Sequence, residues 1–337
     1  MKKLDLVSKG YLKTIYSPSF CIIRSQNKSK KTLAKDIAHG LTRKNKFIPS
    51  KYFYDEKGSD LFDQICNLPE YYLARKEIEI LSSIKQDLSE YLAGISALVE
   101  LGSGMAIKTK YLFEVLSQNQ KKIEYFPIDI SDVVKESSER LEVMFSNLQI
   151  TGIIDHYERG LDLVREINDK KIIVFFGSSI GNFDQQSMLS FLRKIQNTMN
   201  SGDLFLLGLD LAKDKKILEN AYNDSKEITK KFNLNLLQRI NDELDGDFDL
   251  AKFEHAAFYN TKEKRIEMHL RSKTKQQITI NAINLSLNLE KNELIRTEYS
   301  HKYTLSHIRQ MAEDTGFNII KIWSDKQDYF ALVLFSI

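Results

Sequence analysis

Val99-Glu100-Leu101-Gly102-Ser103-Gly104-Met105-Ala106 is the stretch on which the reading of this 337-residue chain turns. Ala97–Leu101 is short and apolar and predicts a buried strand, and Lys108–Ser117 has the spacing of a helix. Between them, glycines permit a tight reversal that side chains with a Cβ resist. A strand, a glycine turn and a helix in that order let a ligand approach the backbone at the carboxyl end of the strand. The turn alone does not identify the ligand. A nicotinamide fingerprint, G-x-G-x-x-G, would require glycine at 107, where the chain has Ile107.

The same alternation continues on both sides. Tyr125–Ile130 predicts a second strand, with Asp129 near its end where a carboxylate can accept hydrogen bonds from ribose hydroxyls. Ser131–Phe145 predicts an amphipathic helix capped by Ser131 or Asp132. Ile172–Gly177 and Leu204–Asp210 are nearly continuous apolar runs, as in parallel strands buried on both faces, with a helix over Gln186–Met199 between them. Near the end, Thr304 can cap a helix running to Gly316, followed by strands at Asn318–Trp323 and Tyr329–Ile337. This pattern predicts an α/β fold with a doubly wound, Rossmann-like sheet.

The alternation stops over residues 212–303, which hold a helical stretch, the acidic loop Asp242–Asp249 and strand-like segments near 252–260, 263–272 and 277–287. We therefore expect a core from residues 76–212 and 302–337, and an inserted α+β substrate-binding subdomain from 31–75 and 213–301. Residues 1–30 read as a solvated basic leader, densest at Asn27-Lys28-Ser29-Lys30-Lys31, with a first helix over about 31–43.

Composition narrows the function. Lysine and arginine number 49 against 46 acidic residues, too balanced for a dedicated nucleic-acid surface. Cys21 and Cys66 are far apart with no partner at ligand spacing, which argues against a disulfide framework or zinc site and fits a reducing cytoplasm. The first residues lack the apolar core of a signal peptide, and no apolar run has the length of a membrane span. We expect a monomeric cytoplasmic protein acting on a small molecule, without metal, membrane or nucleic acid.

Glu100 ahead of the glycines completes E-x-G-x-G-x-A, a pattern typical of class I methyltransferases. Further motifs follow in order: Tyr52-Phe53-Tyr54-Asp55 with Gly58-Ser59, Leu68-Pro69-Glu70-Tyr71-Tyr72, and Lys108-Thr109. Then come Phe176-Gly177-Ser178-Ser179-Ile180-Gly181-Asn182, Ala221-Tyr222, Phe248-Asp249, Arg265-Ile266-Glu267-Met268 and Thr297-Glu298-Tyr299-Ser300. From about residue 32 onward the chain resembles the histidine-specific N-α-methyltransferases of ergothioneine biosynthesis, which trimethylate histidine to hercynine with S-adenosylmethionine.

The resemblance implies that Tyr54, Gly102, Gly104, Lys108 and Asp129 line the cofactor pocket. It implies that Tyr71, Asn182 and Tyr222 hold the amino acid's carboxylate and α-amine, and that Met268, Glu298 and Ser300 surround its imidazole. Tyr54, Asn182 and Tyr222 are then the candidates for catalysis. One departure concerns adenine: the family's Gly-Asp-Phe after the third strand is matched here to Gly160-Leu161-Asp162, which makes Asp162 the candidate.

The chemistry suits these residue types. Methyl transfer to an amine is a direct displacement, so positioning matters most, and tyrosine rings attract a growing cation. Glu298 and Ser300 are two apart and share a face if they lie on a strand. Without the resemblance, Glu298 beside Arg296 would read as a surface ion pair and Met268 as core. The competing functions are methylation of another amino acid or an indole amine, for which a carboxylate at 298 is out of place, and a non-catalytic member of the fold.

Overall fold

The computed structural model describes residues 10–26 and 29–337. The chain divides into two compact units, one formed by Met1–Asn27, Leu73–Leu211 and Tyr303–Ile337, the other by Lys28–Tyr72 and Ala212–Lys302.

The first unit is built on nine strands: β1 (Tyr11–Ile15), β2 (Phe20–Ser25), β3 (Ala97–Leu101), β4 (Ile123–Asp129), β5 (Leu148–Ile154), β6 (Lys171–Phe175), β7 (Leu204–Asp210), β13 (Asn318–Ser324) and β14 (Phe330–Ser336). Their order across the sheet is β1-β2-β5-β4-β3-β6-β7-β14-β13. From β2 to β7 all neighbours are parallel, while β14 is antiparallel to β7 and β13 antiparallel to β14. The sheet therefore grows from β3 in one direction through β4 and β5, then in the other through β6 and β7. The crevice at such a reversal is where open α/β sheets bind ligands.

Around the sheet lie α3 (Tyr72–Ser83), α4 (Lys85–Tyr91), α5 (Lys110–Asn119), α6 (Val133–Met144), α7 (Tyr157–Val164), α8 (Gln185–Gln196) and α11 (Leu305–Thr315). Strands β3, β6 and β7 are buried at every position, in keeping with their largely apolar sequences. Leu101, Ile128, Ile173, Phe175, Leu207 and Phe335 belong to one continuous core. The doubly wound α/β fold is the one expected.

The second unit contains α1 (Ser29–Leu41), α2 (Glu56–Cys66), α9 (Lys215–Asn220), α10 (Ile228–Leu244) and five strands: β8 (Phe253–Asn260), β9 (Arg265–Ser272), β10 (Gln276–Ile280), β11 (Leu285–Leu289) and β12 (Leu294–His301). β12, β9 and β8 form an antiparallel sheet in that order, and β10 pairs with β11. Asp55 caps α2 by accepting the Gly58 N–H at 2.7 Å, and Phe53 stacks on Phe232 of α10 at 4.3 Å.

Three expectations need correction. The leader is not merely solvated: β1 and β2 add a hairpin to the sheet, because Tyr11, Phe20, Ile22 and Ile23 bury their side chains there. The basic residues around them masked that apolar pattern; Asn27 and Lys28 lie outside the described residues. Next, β5 was given no place in the strand pattern read from the sequence. Finally, residues 277–287 are a reversal rather than one strand, with Asn284 at φ +50 in the turn between β10 and β11.

The hairpin is locked by a buried polar contact. Tyr11 donates to Asp155 Oδ2 at 2.5 Å, just after β5, and Arg159 pairs with the same oxygen at 3.2 Å. Tyr11→Phe should lower unfolding stability by about 1.5–3 kcal/mol, the usual contribution of a hydrogen bond to a charged group. Urea unfolding measures this, and an unchanged midpoint would mean that the hairpin does not depend on the contact.

Candidate functional site

In the first unit, the candidate residues gather at the carboxyl ends of β3, β4 and β6. Gly102 and Gly104 have φ of +70 and +47, a left-handed backbone that favours glycine. A Cβ at Gly102 would meet the Tyr157 hydroxyl at 2.8 Å, whereas Gly104 faces open space. Asp129, at the end of β4, ties this turn down: its Oδ2 accepts the Gly104 N–H at 3.0 Å, and its Oδ1 accepts the backbone N–H and hydroxyl of Ser131 at 3.0 and 2.9 Å. Burial raises its carboxyl above the usual range, against the pull of those donors. Each oxygen keeps acceptor capacity, since a carboxylate offers about four lone-pair directions.

Glu100 is fully engaged inside the protein. Thr109 donates to its Oε1 at 2.5 Å and Tyr125 donates to its Oε2. Burial pushes its carboxyl up to about 7, opposed by those two hydrogen bonds. It joins β3 to β4 and to the start of α5 and has a structural role. Lys108 ion-pairs at 2.7 Å with Glu77 of α3, whose side chain is fully buried. The Gly177 N–H, after β6, donates to both Glu77 oxygens at 3.1 and 2.9 Å. Gly208 makes room for this carboxylate, because a Cβ there would lie 2.1 Å from Glu77 Oε1. Asn182 closes the turn Ser179–Asn182 after β6, half-buried, and its side chain makes no hydrogen bond among the described residues.

Asp162 is not part of this constellation. It is exposed on α7 and ion-paired with Lys194 of α8, well past the end of β5. The residues that follow β5 are Asp155, His156 and Tyr157, so the strand-end position expected for Gly160-Leu161-Asp162 is occupied five residues earlier in the chain.

In the second unit, aromatic side chains meet edge to face. Tyr54 contacts Phe62 at 5.4 Å between centroids, Phe62 contacts Tyr71 at 6.3 Å, and Tyr71 contacts Tyr222 at 6.4 Å. Burial raises the Tyr71 hydroxyl well above its ordinary pKa, so it stays protonated at neutral pH. Tyr222 donates to Ser300 Oγ at 2.8 Å. His255 of β8 lies 2.8 Å from the Tyr222 carbonyl and holds that backbone in place.

Glu298 sits on β12 directly opposite Met268 of β9, and Ser300 opposite Ile266. The register shifts between Arg296 and Glu298, so Thr297 is an extra residue that bends the strand just ahead of them. Arg296 does not pair with Glu298; its guanidinium lies 4.0 Å from the Tyr299 ring and 5.0 Å from that of Phe47. Among the described residues Glu298 has no hydrogen bond and no ion pair. Burial pushes its carboxyl up to about 7, and the Lys302 ammonium works in the opposite direction. Tyr71, Tyr222, Met268, Glu298 and Ser300 thus belong to one local arrangement in the second unit, and Gly102, Gly104, Lys108, Asp129 and Asn182 lie at the strand ends of the first.

A family model described as histidine-specific methyltransferase, SAM-dependent, matches residues 33–337. The chain is 36% identical over 303 residues to the histidine N-alpha-methyltransferase of Mycolicibacterium smegmatis, a match covering 90% of this chain and 94% of that protein. It is 35% identical over 303 residues to the protein of the same name from Mycobacterium tuberculosis, again with 90% and 94% covered. Against the ergothioneine biosynthesis protein 1 of Schizosaccharomyces pombe the identity is 28% over 299 residues, covering 85% of this chain and 38% of that longer protein.

Sequence reasoning missed Glu77, Lys302 and His255. Lys302 had a usable signal, because it continues the alternation of Glu298 and Ser300. Glu77 had none, since one glutamate on an amphipathic helix reads as a solvated residue. Its importance can be measured by a double-mutant cycle. Glu77→Gln should cost about 1–3 kcal/mol by leaving Lys108 without its counter-charge, and the cycle with Lys108→Met should retain a coupling of about 1 kcal/mol or more. Additive effects in denaturant unfolding would show that the pair stores no interaction.

Proposed function

Because the chain belongs to the family of histidine-specific, S-adenosylmethionine-dependent methyltransferases, we propose that it N-methylates the α-amine of L-histidine and carries the product to the trimethylated betaine hercynine. The observation that carries the substrate assignment is Glu298: a half-buried carboxylate next to Ser300 that has no hydrogen-bond donor among the described residues. Such a group is costly unless a donor reaches it. An imidazole N–H is such a donor, and the side chains of leucine and phenylalanine are not.

The first unit has the features that S-adenosylmethionine requires. Gly104 opens space at the β3 turn, and Asp129 keeps acceptor capacity for ribose hydroxyls. Lys108, held by Glu77, borders the same strand ends. When bound, the cofactor supplies a methyl group activated by a sulfonium. The chain's own residues do the positioning, which can supply several kcal/mol of a barrier of this kind. Asn182 and Tyr222 are the proposed holders of the amino acid's carboxylate and α-amine, Asn182 through its carboxamide donor and Tyr222 through the lone pair its hydroxyl keeps for the amine. Neutral hydroxyls and a carboxamide orient an amine that must be unprotonated to attack, without adding a charge that would hold its proton. Tyr54 and Tyr71 present rings that stabilise the cation as methyl groups accumulate. Met268 forms the apolar side of the ring pocket. The reading includes a monomer working in the cytoplasm on a small molecule; no helix among the described residues is long and apolar enough to cross a membrane.

Asp129→Ala should weaken S-adenosylmethionine binding by about 1.5–3 kcal/mol, the range for a charge-assisted hydrogen bond. Titration calorimetry measures this, and an unchanged affinity would remove Asp129 from the ribose site. Glu298→Ala should raise the Michaelis constant for histidine by about two orders of magnitude, as expected when a polar group built to pair with the substrate is lost, with cofactor affinity unchanged. Discrimination against leucine should narrow in the same variant. Since burial places the Glu298 carboxyl near 7, histidine should bind progressively less well as pH falls through that value and the acceptor is protonated. Wild-type selectivity for histidine in Glu298→Ala would overturn the substrate assignment.

A further inference from the structure

Lys302 is 2% exposed and follows the last residue of β12. Its backbone N–H donates to the Lys264 carbonyl at 2.7 Å, which continues the ladder with β9. Glu298, Ser300 and Lys302 therefore alternate onto one face. The Lys302 ammonium donates to Ser300 Oγ at 2.8 Å and to the Tyr222 hydroxyl at 3.2 Å.

An ammonium has donors and no acceptor, whereas a serine hydroxyl has one hydrogen and two acceptor lone pairs. Tyr222 accepts from Lys302 and passes its own hydrogen to Ser300 at 2.8 Å. Ser300 thus receives two hydrogen bonds, from Tyr222 and from Lys302, and these are its only side-chain partners among the described residues. Both of its lone pairs are taken, and its own hydrogen is left to point away from them.

We propose that Lys302 is a positioning residue that, together with Tyr222, fills both lone pairs of Ser300, making Ser300 a donor and leaving Glu298 the acceptor. The proposal rests on the reading that Glu298 and Ser300 receive the substrate's ring. One acceptor and one donor side by side are complementary to a neutral imidazole in a single tautomer, with N–H toward Glu298 and the bare nitrogen toward Ser300. An imidazolium has two N–H groups and would meet the Ser300 hydrogen head-on. Lys302 acts on Glu298 as well, because its charge favours the ionised carboxylate. Among the described residues no charged group is ion-paired with Glu298. Met268 is its partner on β9, Tyr71 is a protonated phenol, and Arg296 lies over the Tyr299 and Phe47 rings.

The test is the pH dependence of kcat/KM for histidine in Lys302→Met and Lys302→Arg, each divided by the wild-type value at the same pH so that titration of the substrate cancels. Without the cation, Glu298 holds its proton to higher pH and Ser300 can turn its hydrogen inward. Lys302→Met should therefore lose about fivefold at pH 7 and approach about tenfold below it, the factor that corresponds to one pKa unit. The loss should appear in KM rather than kcat and shrink as pH rises. Lys302→Arg should restore much of the wild-type profile. Cofactor affinity should be unchanged in both. If Lys302→Met does not fold, Lys302→Gln, which fills the space without the charge, must show the same pH-dependent penalty. A ratio that is flat with pH, or a loss confined to kcat, overturns the proposal. Glu298→Gln separates the two layers: if it leaves the histidine KM unchanged, the substrate reading itself fails, whereas a raised KM there with a flat Lys302→Met ratio refutes only the role of Lys302.

Discussion

Taking a carboxylate out of water costs several kcal/mol unless donors replace the lost hydration, and the polar interior of each unit is arranged around that cost. Glu77 and Glu100 are answered completely from within the protein, the first by Lys108 and Gly177, the second by Thr109 and Tyr125. They hold α3, α5 and the turns after β3 and β6 in a fixed relation. Asp129 is answered in part, by Gly104 and Ser131. Glu298 is answered by a nearby charge but, among the described residues, by no hydrogen bond. The degree of satisfaction separates carboxylates whose hydrogen bonds are met within the fold from those that keep acceptor capacity, and on the proposed reading the latter receive the ligands.

The central strands were legible because burial on both faces leaves a largely apolar run, as in β3, β6 and β7. The turn at Gly102–Gly104 was legible because positive φ favours glycine. The leader was not, since Lys13 and Arg24 interrupt strands whose inward residues are few. Asp162 was misplaced because a motif was matched to a sequence in which the end of β5 had not been located. Once Ile154 closes that strand, the position falls to Asp155, His156 and Tyr157. For Glu298 the two-residue alternation with Ser300 was sound, whereas alternation counted from Ile295 would have failed. The extra residue Thr297 intervenes, and bulges leave little mark on composition.

Lys302 shows why a polar cluster is harder to read from sequence than its separate members. As a lysine near the end of a strand it looks like a solvated charge. Its meaning depends on Tyr222, which is 80 residues away in the chain and to which it donates. The donor-only character of Lys302 fixes the direction of its own two bonds, and with the Tyr222 donation to Ser300 it leaves the serine no free lone pair. A residue that reaches the ligand's side of the pocket only through others can in this way decide what the pocket recognises.

The nine-stranded sheet of the first unit also has two open margins, and each is poorly suited to joining another sheet. β1, at one margin, is five residues long and exposed at all but its first position, with Lys13 in its middle. β13, at the other, breaks register against β14 between Ile319 and Lys321 and carries that lysine outward. Short length, charge and an irregular ladder are the features that keep unpaired strands from recruiting one another. Without the N-terminal hairpin, β5 would form the first margin, with buried Leu148, Ile150, Ile153 and Ile154 along it. The two added strands therefore do more than extend the sheet: they cover the apolar border of β5 and leave in its place a shorter one, broken by Lys13, on which Leu12 and Ile15 stay exposed.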